Sequence, residues 1–216
     1  MLIKIVFIIL FGYFLGNLNF ARLLSKKNNS DITKQGSGNP GTMNMLRSYG
    51  AKLGGLTLLL DLLKGAVPAI LGYFVLGGHS NLEYATLGLY IGGASVILGH
   101  IYPVFYKFKG GKGVASCLGV FLVANPLATL IVFLVSLVYL WFFEYGSITS
   151  FILITALTVI EGLRVANYQN LFITILLFFI FFITFFAHRN NIFRLLIGKE
   201  NRVSLKRMLQ KKKSLK

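Results

Sequence analysis

Acidic residues are scarce in this chain of 216 residues, which has six Asp and Glu against 22 Lys and Arg. Asp31 and Glu200 stand alone in their polar segments, so no paired carboxylates are available there for a glycosidase or a two-metal site. The histidines, acids and single cysteine show no spacing typical of metal ligands. Cys117 has no second cysteine, which excludes an internal disulfide. We therefore expect a protein with no resident metal and no cofactor.

Charge of either sign is also low, because 13% of the residues are charged and 56% are hydrophobic, with a mean hydropathy of +0.73. A soluble domain carries about 25% charged residues, so the composition indicates an integral membrane protein. We expect one domain over residues 1–200, followed by a basic tail at 201–216. The simplest interpretation of this tail is a cytoplasmic topology signal that contacts anionic lipid. No basic and aromatic surface module accompanies it, which disfavours nucleic-acid binding.

Apolar residues form seven stretches, at about 2–20, 53–77, 84–100, 114–124, 126–143, 148–162 and 169–187. A membrane-crossing helix needs roughly 20 residues, and four of the stretches approach that length. Asn125–Pro126 either separates two helices or kinks one. The sequence thus predicts an all-α integral membrane protein, a compact bundle of about seven transmembrane helices, with five as the alternative. The first stretch is long for a signal peptide and no cleavage motif follows it, so we expect a retained span.

The charges of the loops predict an orientation. Residues 21–52 carry six Lys and Arg against one acid, and residues 102–112 carry three lysines, whereas 78–83 has no cation. The positive-inside rule then places the N-terminus outside and the C-terminus in the cytoplasm. With seven spans, residues 144–150 also lie at the cytoplasmic end, where Ser150 can join the basic loops.

The first polar cluster is GSGNPGTMNMLR, from Gly36 to Arg47. Flexible small residues free backbone N–H groups, hydroxyls and amides donate to oxyanions, and an arginine binds phosphate with two parallel hydrogen bonds. The alternative is an exposed turn that caps the next helix, with Thr42 or Asn44 as the N-cap. The candidate phosphate-binding residues are Ser37, Gly38, Asn39, Thr42, Asn44 and Arg47.

The second cluster is GHIYPVFYKFKGGKGVA, from Gly99 to Ala115. Gly110, Gly111 and Gly113 let the backbone approach a ligand, and Lys112 adds a point charge for phosphate. Gly113 follows the lysine where a Walker A loop needs Ser or Thr, which disfavours nucleotide hydrolysis. His100 is either part of this phosphate site or a buried, hydrogen-bonded histidine at a helix end.

The third cluster is HRNN at 188–191, at the end of the last long apolar stretch. His188 and Asn191 are three residues apart and share a face if the helix continues, so both can bond a bound hydroxyl or phosphate. Glu200 is expected to form a structural salt bridge. Asp61 and Lys64 are also three apart, and we expect either a stabilising ion pair within the membrane or part of a polar cavity.

Together the three clusters resemble the motifs of the PlsY-type acyl-phosphate:glycerol-3-phosphate acyltransferases of bacterial phospholipid synthesis. The first family motif, SGNxGxTNxxR, is similar to SGNPGTMNMLR, in which Met43 stands between Thr42 and Asn44. The second, GHxYPxFxxFxGGKGVA, is matched from Gly99 to Ala115 almost throughout. The third is matched by HRxN at 188–191, followed by Ile192, Arg194, Leu195, Gly198 and Glu200.

The resemblance implies transfer of a fatty acyl group from acyl phosphate to the 1-hydroxyl of sn-glycerol 3-phosphate, giving lysophosphatidic acid and phosphate. It implies seven membrane segments in the bacterial inner or plasma membrane, an active site at the cytoplasmic face, and no need for acyl-CoA, acyl carrier protein or a metal. The expected partners are the two substrates and membrane lipid, without nucleic acid. Motif matching assigns the catalytic set Ser37, Arg47, Lys112, His188 and Asn191, with Ser150 as a further phosphate-binding residue.

Two other functions compete with this one. A transporter for an organic phosphate would share the basic loops, but it predicts matching broken helices in two internal halves, which the sequence does not show. An acyl-CoA-dependent acyltransferase would need His-x-x-x-x-Asp, and no histidine of the chain is followed by aspartate at that distance. Within the acyl-phosphate reaction, either the donor's phosphate or His188 accepts the hydroxyl proton, and we favour the phosphate.

Overall fold

Helices form the framework of residues 1–206, the part of the chain that this computed structural model describes. No β-strand occurs in these residues, which confirms the predicted all-α class. Three short 3₁₀ turns at 32–34, 104–106 and 166–168 join some of the helices. The α-helices in chain order are α1 (Leu2–Gly16), α2 (Phe20–Lys27), α3 (Thr42–Leu76), α4 (Leu82–Ile101), α5 (Val114–Ala124), α6 (Pro126–Phe143), α7 (Gly146–Val165), α8 (Leu171–Ala187) and α9 (Arg189–Leu196).

Five helical stretches within residues 1–206 are long and apolar enough to cross a membrane: Leu2–Lys27, Thr42–Leu76, Leu82–Tyr106, Pro126–Phe143 and Gly146–Tyr168. A sixth is formed by α8 and α9 together, which are bent by 53° where they meet. Helix α5 is apolar but has only 11 residues. By length and composition alone the structure therefore supports five or six spans, and the predicted seventh depends on α5.

Helix α4 is the centre of the bundle, since 16 of its 20 residues are buried. It packs against α1, α3, α5 and α8, while α7 contacts α6 and α8 at the periphery. The outward faces of α1, α6 and α8 expose large apolar side chains such as Phe7, Leu134 and Phe182. This pattern is the one expected of a bundle that has lipid as its solvent.

Glycines allow the central helices to approach closely. A Cβ atom at Gly72 of α3 would lie 1.9 Å from the carbonyl oxygen of Gly88 in α4. A Cβ at Gly92 would lie 2.1 Å from the oxygen of Pro68, and one at Gly99 would lie 2.1 Å from the oxygen of Tyr13. Membrane helices associate through such small-residue contacts, because apolar side chains gain little by leaving lipid.

Two breaks shape the polar end of the bundle. Gly50 interrupts α3 with φ 82° and ψ −176°, so the residues before it form a separate helical piece that carries the first polar cluster. The apolar stretch predicted from 53 begins just after this break. Asn125 is non-helical and its side chain accepts a hydrogen bond from the Ala128 N–H at 3.2 Å. Asn125–Pro126 therefore separates α5 from α6.

Buried charges tie the helices together. Lys64 Nζ lies 2.8 Å from Asp61 Oδ1 and donates to the carbonyl oxygen of Leu18 at 2.6 Å. The predicted ion pair thus forms, and it also holds the junction of α1 and α2 against α3. Glu161 of α7 is fully buried and accepts hydrogen bonds from Tyr90 of α4 at 2.6 Å and Arg164 at 2.9 Å.

Candidate active site

Residues of all three predicted clusters line one cavity of about 230 Å³, here called the inner cavity. A neighbouring cavity of about 690 Å³, the outer cavity, contains the predicted glycines Gly38, Gly110 and Gly111. Ser37, Asn39, Lys112, Asn191 and Arg194 line both cavities. Those in the inner cavity are Ser37, Asn39, Thr42, Asn44, Arg47, His100, Lys112, Gly113, Ser150, His188 and Asn191.

Four helices begin at the inner cavity. Thr42, Val114 and Gly146 are the first residues of α3, α5 and α7, and His188 directly precedes α9. The first N–H groups of a helix have no partner within the helix, and the helix dipole makes this end positive. The convergence of four such ends creates a site for an anion.

Asn44 shapes the first cluster from within. Its Oδ1 accepts from the Ser37 N–H at 3.0 Å, and its Nδ2 donates to the carbonyl oxygens of Gln35 at 2.9 Å and Ile32 at 3.3 Å. The amide is thus occupied in holding the loop, although Asn44 was predicted to bind phosphate directly. Neither Thr42 nor Asn44 is the N-cap of α3, because Gly41 takes that position.

The glycine loop of the second cluster packs against the end of α4. The N–H groups of Gly110 and Gly111 donate to the carbonyl oxygens of Ile101 and His100, both at 3.1 Å. A Cβ at Gly111 would lie 2.2 Å from His100 Nε2, so only glycine fits there. These two amides therefore cap α4 and are already bonded, although Gly110 and Gly111 are predicted to bind phosphate. What the loop presents to the inner cavity is Lys112 and the start of α5.

A chain of polar contacts joins the second and third clusters. Lys112 Nζ donates to Asn191 Oδ1, and Asn191 Nδ2 donates to Glu200 Oε1 at 2.6 Å. Arg194 Nε lies 3.0 Å from Glu200 Oε2. Glu200 forms the expected structural salt bridge, and through Asn191 it also fixes the position of the lysine.

Burial lowers the pKa of the Lys112 ammonium from 10.5 to about 8. Repulsion by Arg194 and Arg47 contributes to this lowered pKa, whereas attraction by Glu200 opposes it. A cation held in such surroundings lacks the charge balance of a full ion pair. A phosphate dianion supplies that balance, so ligand binding restores the proton affinity of the lysine.

His188 is 1% exposed and its ring packs on Phe151 at 5.1 Å between centroids. Nδ1 lies 2.8 Å from the carbonyl oxygen of Thr184. A carbonyl only accepts, so Nδ1 carries the proton and, in the neutral ring, Nε2 holds the lone pair. This fixes which nitrogen can accept a proton or hydrogen bond in the cavity.

Several buried polar atoms in the inner cavity have no hydrogen-bond partner among residues 1–206. Among them are Thr42 Oγ1, His100 Nδ1, Ser136 Oγ and Ser147 Oγ. Buried polar atoms are normally satisfied, so these atoms indicate a site that receives water or a polar ligand. His100 is indeed buried at a helix end, 3.7 Å from Asp61 Oδ1. Ser150 donates to the carbonyl oxygen of Gly146 at 2.9 Å.

Part of the wall of the inner cavity is apolar. Leucine and phenylalanine side chains of α3, α5, α6 and α7 form it, among them Leu58, Leu118, Phe133, Leu137, Leu140 and Leu153. A cavity lined by cations and helix ends as well as by aliphatic side chains fits an amphiphile with an anionic head. No group of three or more His, Cys, Asp or Glu that could hold a metal ion occurs in the described residues.

The sequence prediction missed some of the lining. Arg194 was noted only as a motif match, yet it reaches both cavities. Ser147 adjoins the predicted Ser150, but only the α6–α7 turn brings it to the cavity. Val203 and Leu205 come from the basic tail, where no local pattern marks a role. The rest of that tail, 207–216, with its predicted lipid contacts, lies outside the described residues.

Known proteins are similar to this chain over most of its length. The profile of the glycerol-3-phosphate acyltransferase family matches residues 6–198. The glycerol-3-phosphate acyltransferase of Aquifex aeolicus is 38% identical over 202 residues, covering 92% of this chain and 99% of that protein. That of Syntrophotalea carbinolica is 42% identical over 173 residues, covering 80% and 84%.

Two solved structures have the same fold. Both are crystal structures of PlsY (YgiH), an integral membrane glycerol 3-phosphate acyltransferase, in its glycerol 3-phosphate and lysophosphatidic acid forms, with TM-scores of 0.81 and 0.76. Each is 35% identical to this chain and aligns over 95% of it and 98% of the solved chain. The chain therefore belongs to the PlsY-type glycerol-3-phosphate acyltransferases, a family of multi-pass membrane enzymes.

Proposed function

We propose that this enzyme transfers a fatty acyl group from acyl phosphate to the 1-hydroxyl of sn-glycerol 3-phosphate. The products are lysophosphatidic acid and inorganic phosphate, and the reaction is the first acylation of phospholipid synthesis. The observation that carries the proposal is the inner cavity, which brings together Arg47, Lys112, four helix starts and apolar side chains. Both substrates are phosphate anions, and one of them also has a long apolar chain.

The chemistry requires positioning more than activation, because acyl phosphate is already a reactive mixed anhydride. The 1-hydroxyl oxygen attacks the carbonyl carbon, the bond from that carbon to the phosphate oxygen breaks, and the departing phosphate takes the hydroxyl proton. Arg47, Lys112 and the helix ends offset the negative charge that builds up on the carbonyl and phosphate oxygens. Ser37 and Asn191 supply further hydrogen bonds. Ser150 Oγ donates its proton to the Gly146 carbonyl oxygen and can accept a hydrogen bond from a substrate hydroxyl. His188 Nε2 orients the attacking hydroxyl.

We further propose seven membrane crossings, with the N-terminus outside and the active site facing the cytoplasm of a bacterial cell. The loop before α5, the α6–α7 turn and the α8–α9 junction all contribute to the inner cavity. In this proposal α5 and α6 lead out and back again, as do α7 and α8. The cations of residues 21–52 and 102–112 assign the cavity end to the cytoplasm.

The decisive assay uses purified protein with palmitoyl phosphate. We expect phosphate release that depends on glycerol 3-phosphate and matches the lysophosphatidic acid formed, and we expect no transfer from palmitoyl-CoA. Phosphate release that does not depend on glycerol 3-phosphate would refute the proposed reaction. Acyl transfer from palmitoyl-CoA in place of palmitoyl phosphate would do the same.

A further inference from the structure

The family profile ends at residue 198, yet the residues that follow pack against the active site. We call residues 200–206 the C-terminal strap. It runs from the end of α9 to the α6–α7 turn, where the Val203 N–H donates to the Glu144 carbonyl oxygen at 2.8 Å. The Val203 side chain is only 1% exposed. The strap thus has a buried apolar anchor, which a purely solvated basic tail would lack.

Cationic side chains hold the strap on an aromatic surface. Arg202 donates to the Tyr145 hydroxyl at 3.3 Å, and its guanidinium lies 5.3 Å from the centre of that ring. Lys206 Nζ lies 5.6 Å from the ring centre of Trp141 and 5.5 Å from that of Phe142. Cation–π contacts of this kind stabilise by about 0.5–1 kcal/mol at exposed sites. The strap is therefore attached at its middle and at its end.

The C-terminal strap also contacts Arg47 and lines the inner cavity. The carbonyl oxygen of Arg202 accepts from Arg47 Nε at 3.3 Å, while Arg47 Nη1 and Nη2 have no hydrogen-bond partner among residues 1–206. The strap thereby fixes one edge of the guanidinium and leaves its other nitrogens for phosphate. Asn201, Val203 and Leu205 line the inner cavity beside Leu140.

We propose that the strap is a positioning element that fixes Arg47 and closes the inner cavity against water, so that acyl transfer outcompetes hydrolysis. The inference rests on the proposed acyl-phosphate reaction. In the competing reaction a water oxygen attacks the carbonyl carbon and the carbon–oxygen bond to phosphate breaks. The products are the fatty acid, phosphate and the proton that water releases. Both reactions use the same activated donor, so access of water decides their ratio.

The readout is the amount of phosphate released, after subtraction of the release without enzyme, per lysophosphatidic acid formed. A strap that only stabilised the fold would lower transfer and hydrolysis together and leave this ratio unchanged. A strap that positions Arg47 and excludes water changes the ratio itself.

The test compares the full-length protein with two shortened chains, one ending at Glu200 and one ending at Lys206, which keeps the strap. Val203→Gly and Leu205→Ala remove its apolar side chains singly. Lys199→Ala is the matched control, because Lys199 is exposed and just precedes the strap. All are purified in the same lipid or detergent and assayed with palmitoyl phosphate and glycerol 3-phosphate.

We expect a ratio close to one for the full-length protein, the chain ending at Lys206 and Lys199→Ala. In Val203→Gly and the chain ending at Glu200 the ratio should rise on the order of tenfold, as expected when a reacting group shifts by a fraction of an ångström. If the shorter chain does not fold, Val203→Gly and Leu205→Ala decide the matter.

An unchanged ratio in the strap variants, or an equal rise in Lys199→Ala, would overturn the inference. A full-length protein that forms no lysophosphatidic acid from palmitoyl phosphate gives a different result, because it refutes the proposed donor before any variant is compared.

Discussion

At the scale of single residues, Lys112 combines charge with burial. It lies between Asn191 and the start of α5, and its pKa of about 8 is close to the pH of a cell. A fully exposed lysine would stay charged, but water would screen much of its attraction for phosphate. The buried position gives a stronger contact with phosphate and makes that contact sensitive to pH.

We expect the affinity for the phosphate substrates to fall as the pH rises through about 8. Below this pH Lys112 is protonated and binds phosphate, and above it the free enzyme loses the cation. The second pKa of a phosphate ester is about 6, so the substrates are almost fully dianionic by the time the pH reaches about 8. A profile of kcat/KM from pH 6.5 to 9.5 should decline above 8, while kcat changes less because bound phosphate keeps the lysine protonated. Lys112→Arg should flatten the decline; a profile identical to wild type would contradict this assignment.

His188→Gln should lower kcat by about ten- to a hundredfold without abolishing it, because glutamine can still orient a hydroxyl while the donor phosphate takes the proton. The measurement is kcat at saturating substrates, with glycerol 3-phosphate binding followed separately. Complete loss of turnover in a folded variant that binds both substrates would show instead that His188 is the base.

We expect the buried Asp61–Lys64 ion pair to contribute to the thermal stability of the protein. Lys64→Met leaves a buried carboxylate without its cation, and breaking such a pair costs about 3–5 kcal/mol. The melting temperature in detergent should fall sharply. Asp61→Leu combined with Lys64→Met should recover part of the loss, because no unpaired charge is left. A double variant less stable than the sum of the single changes would argue against a simple ion pair.

Residue types and spacing located most of the site. The three clusters do meet, because each lies next to an apolar stretch that ends at the same face of the bundle. The individual roles of Asn44, Gly110 and Gly111 did not follow from the sequence. A pattern shows that an amide or glycine is present, but only the fold shows whether its hydrogen bonds are already used.

At the scale of helices, the contact of α3 with α4 depends on glycine. Gly72→Ala would place a methyl group 1.9 Å from the Gly88 carbonyl oxygen, so the helices must separate. Overpacking of this kind costs about 1–3 kcal/mol, and we expect a lower melting temperature. Gly162→Ala is the matched control, since the nearest atom to its Cβ would be Leu177 Cδ2 at 3.9 Å. Equal melting temperatures for the two variants would contradict the close contact.

Hydropathy predicted the helices well and their ends less well. All seven apolar stretches coincide with helices, but α3 begins at Thr42, eleven residues before the predicted stretch starts at 53. A hydropathy scan does not detect the first part of α3, because the residues before Gly50 are helical but polar. The short helices α2 and α9 were missed for the same reason: each has mixed charged and apolar residues.

At the scale of the whole molecule, the topology predicts which loops are reachable from each side of the membrane. Ser80→Cys and Asn167→Cys should react with a membrane-impermeant thiol reagent added to intact cells, because both loops lie at the end opposite to the inner cavity. Lys107→Cys and Lys206→Cys should react only after the membrane is opened. Cys117 is buried and gives little background.

Asn167→Cys separates the possible span counts. If α5 does not cross, every later loop changes sides, and residue 167 becomes inaccessible from outside while residue 80 stays accessible. Labelling of both from outside supports seven crossings, and labelling of residue 80 alone refutes them.

The residues shared by the two cavities determine where the two substrates can meet. Ser37, Asn39, Lys112, Asn191 and Arg194 are the residues that line both. In the proposed reaction, a molecule held against the apolar wall and one held among the basic loops meet only along this row. The fatty chain then never has to enter water, and the sugar-alcohol phosphate never has to enter lipid.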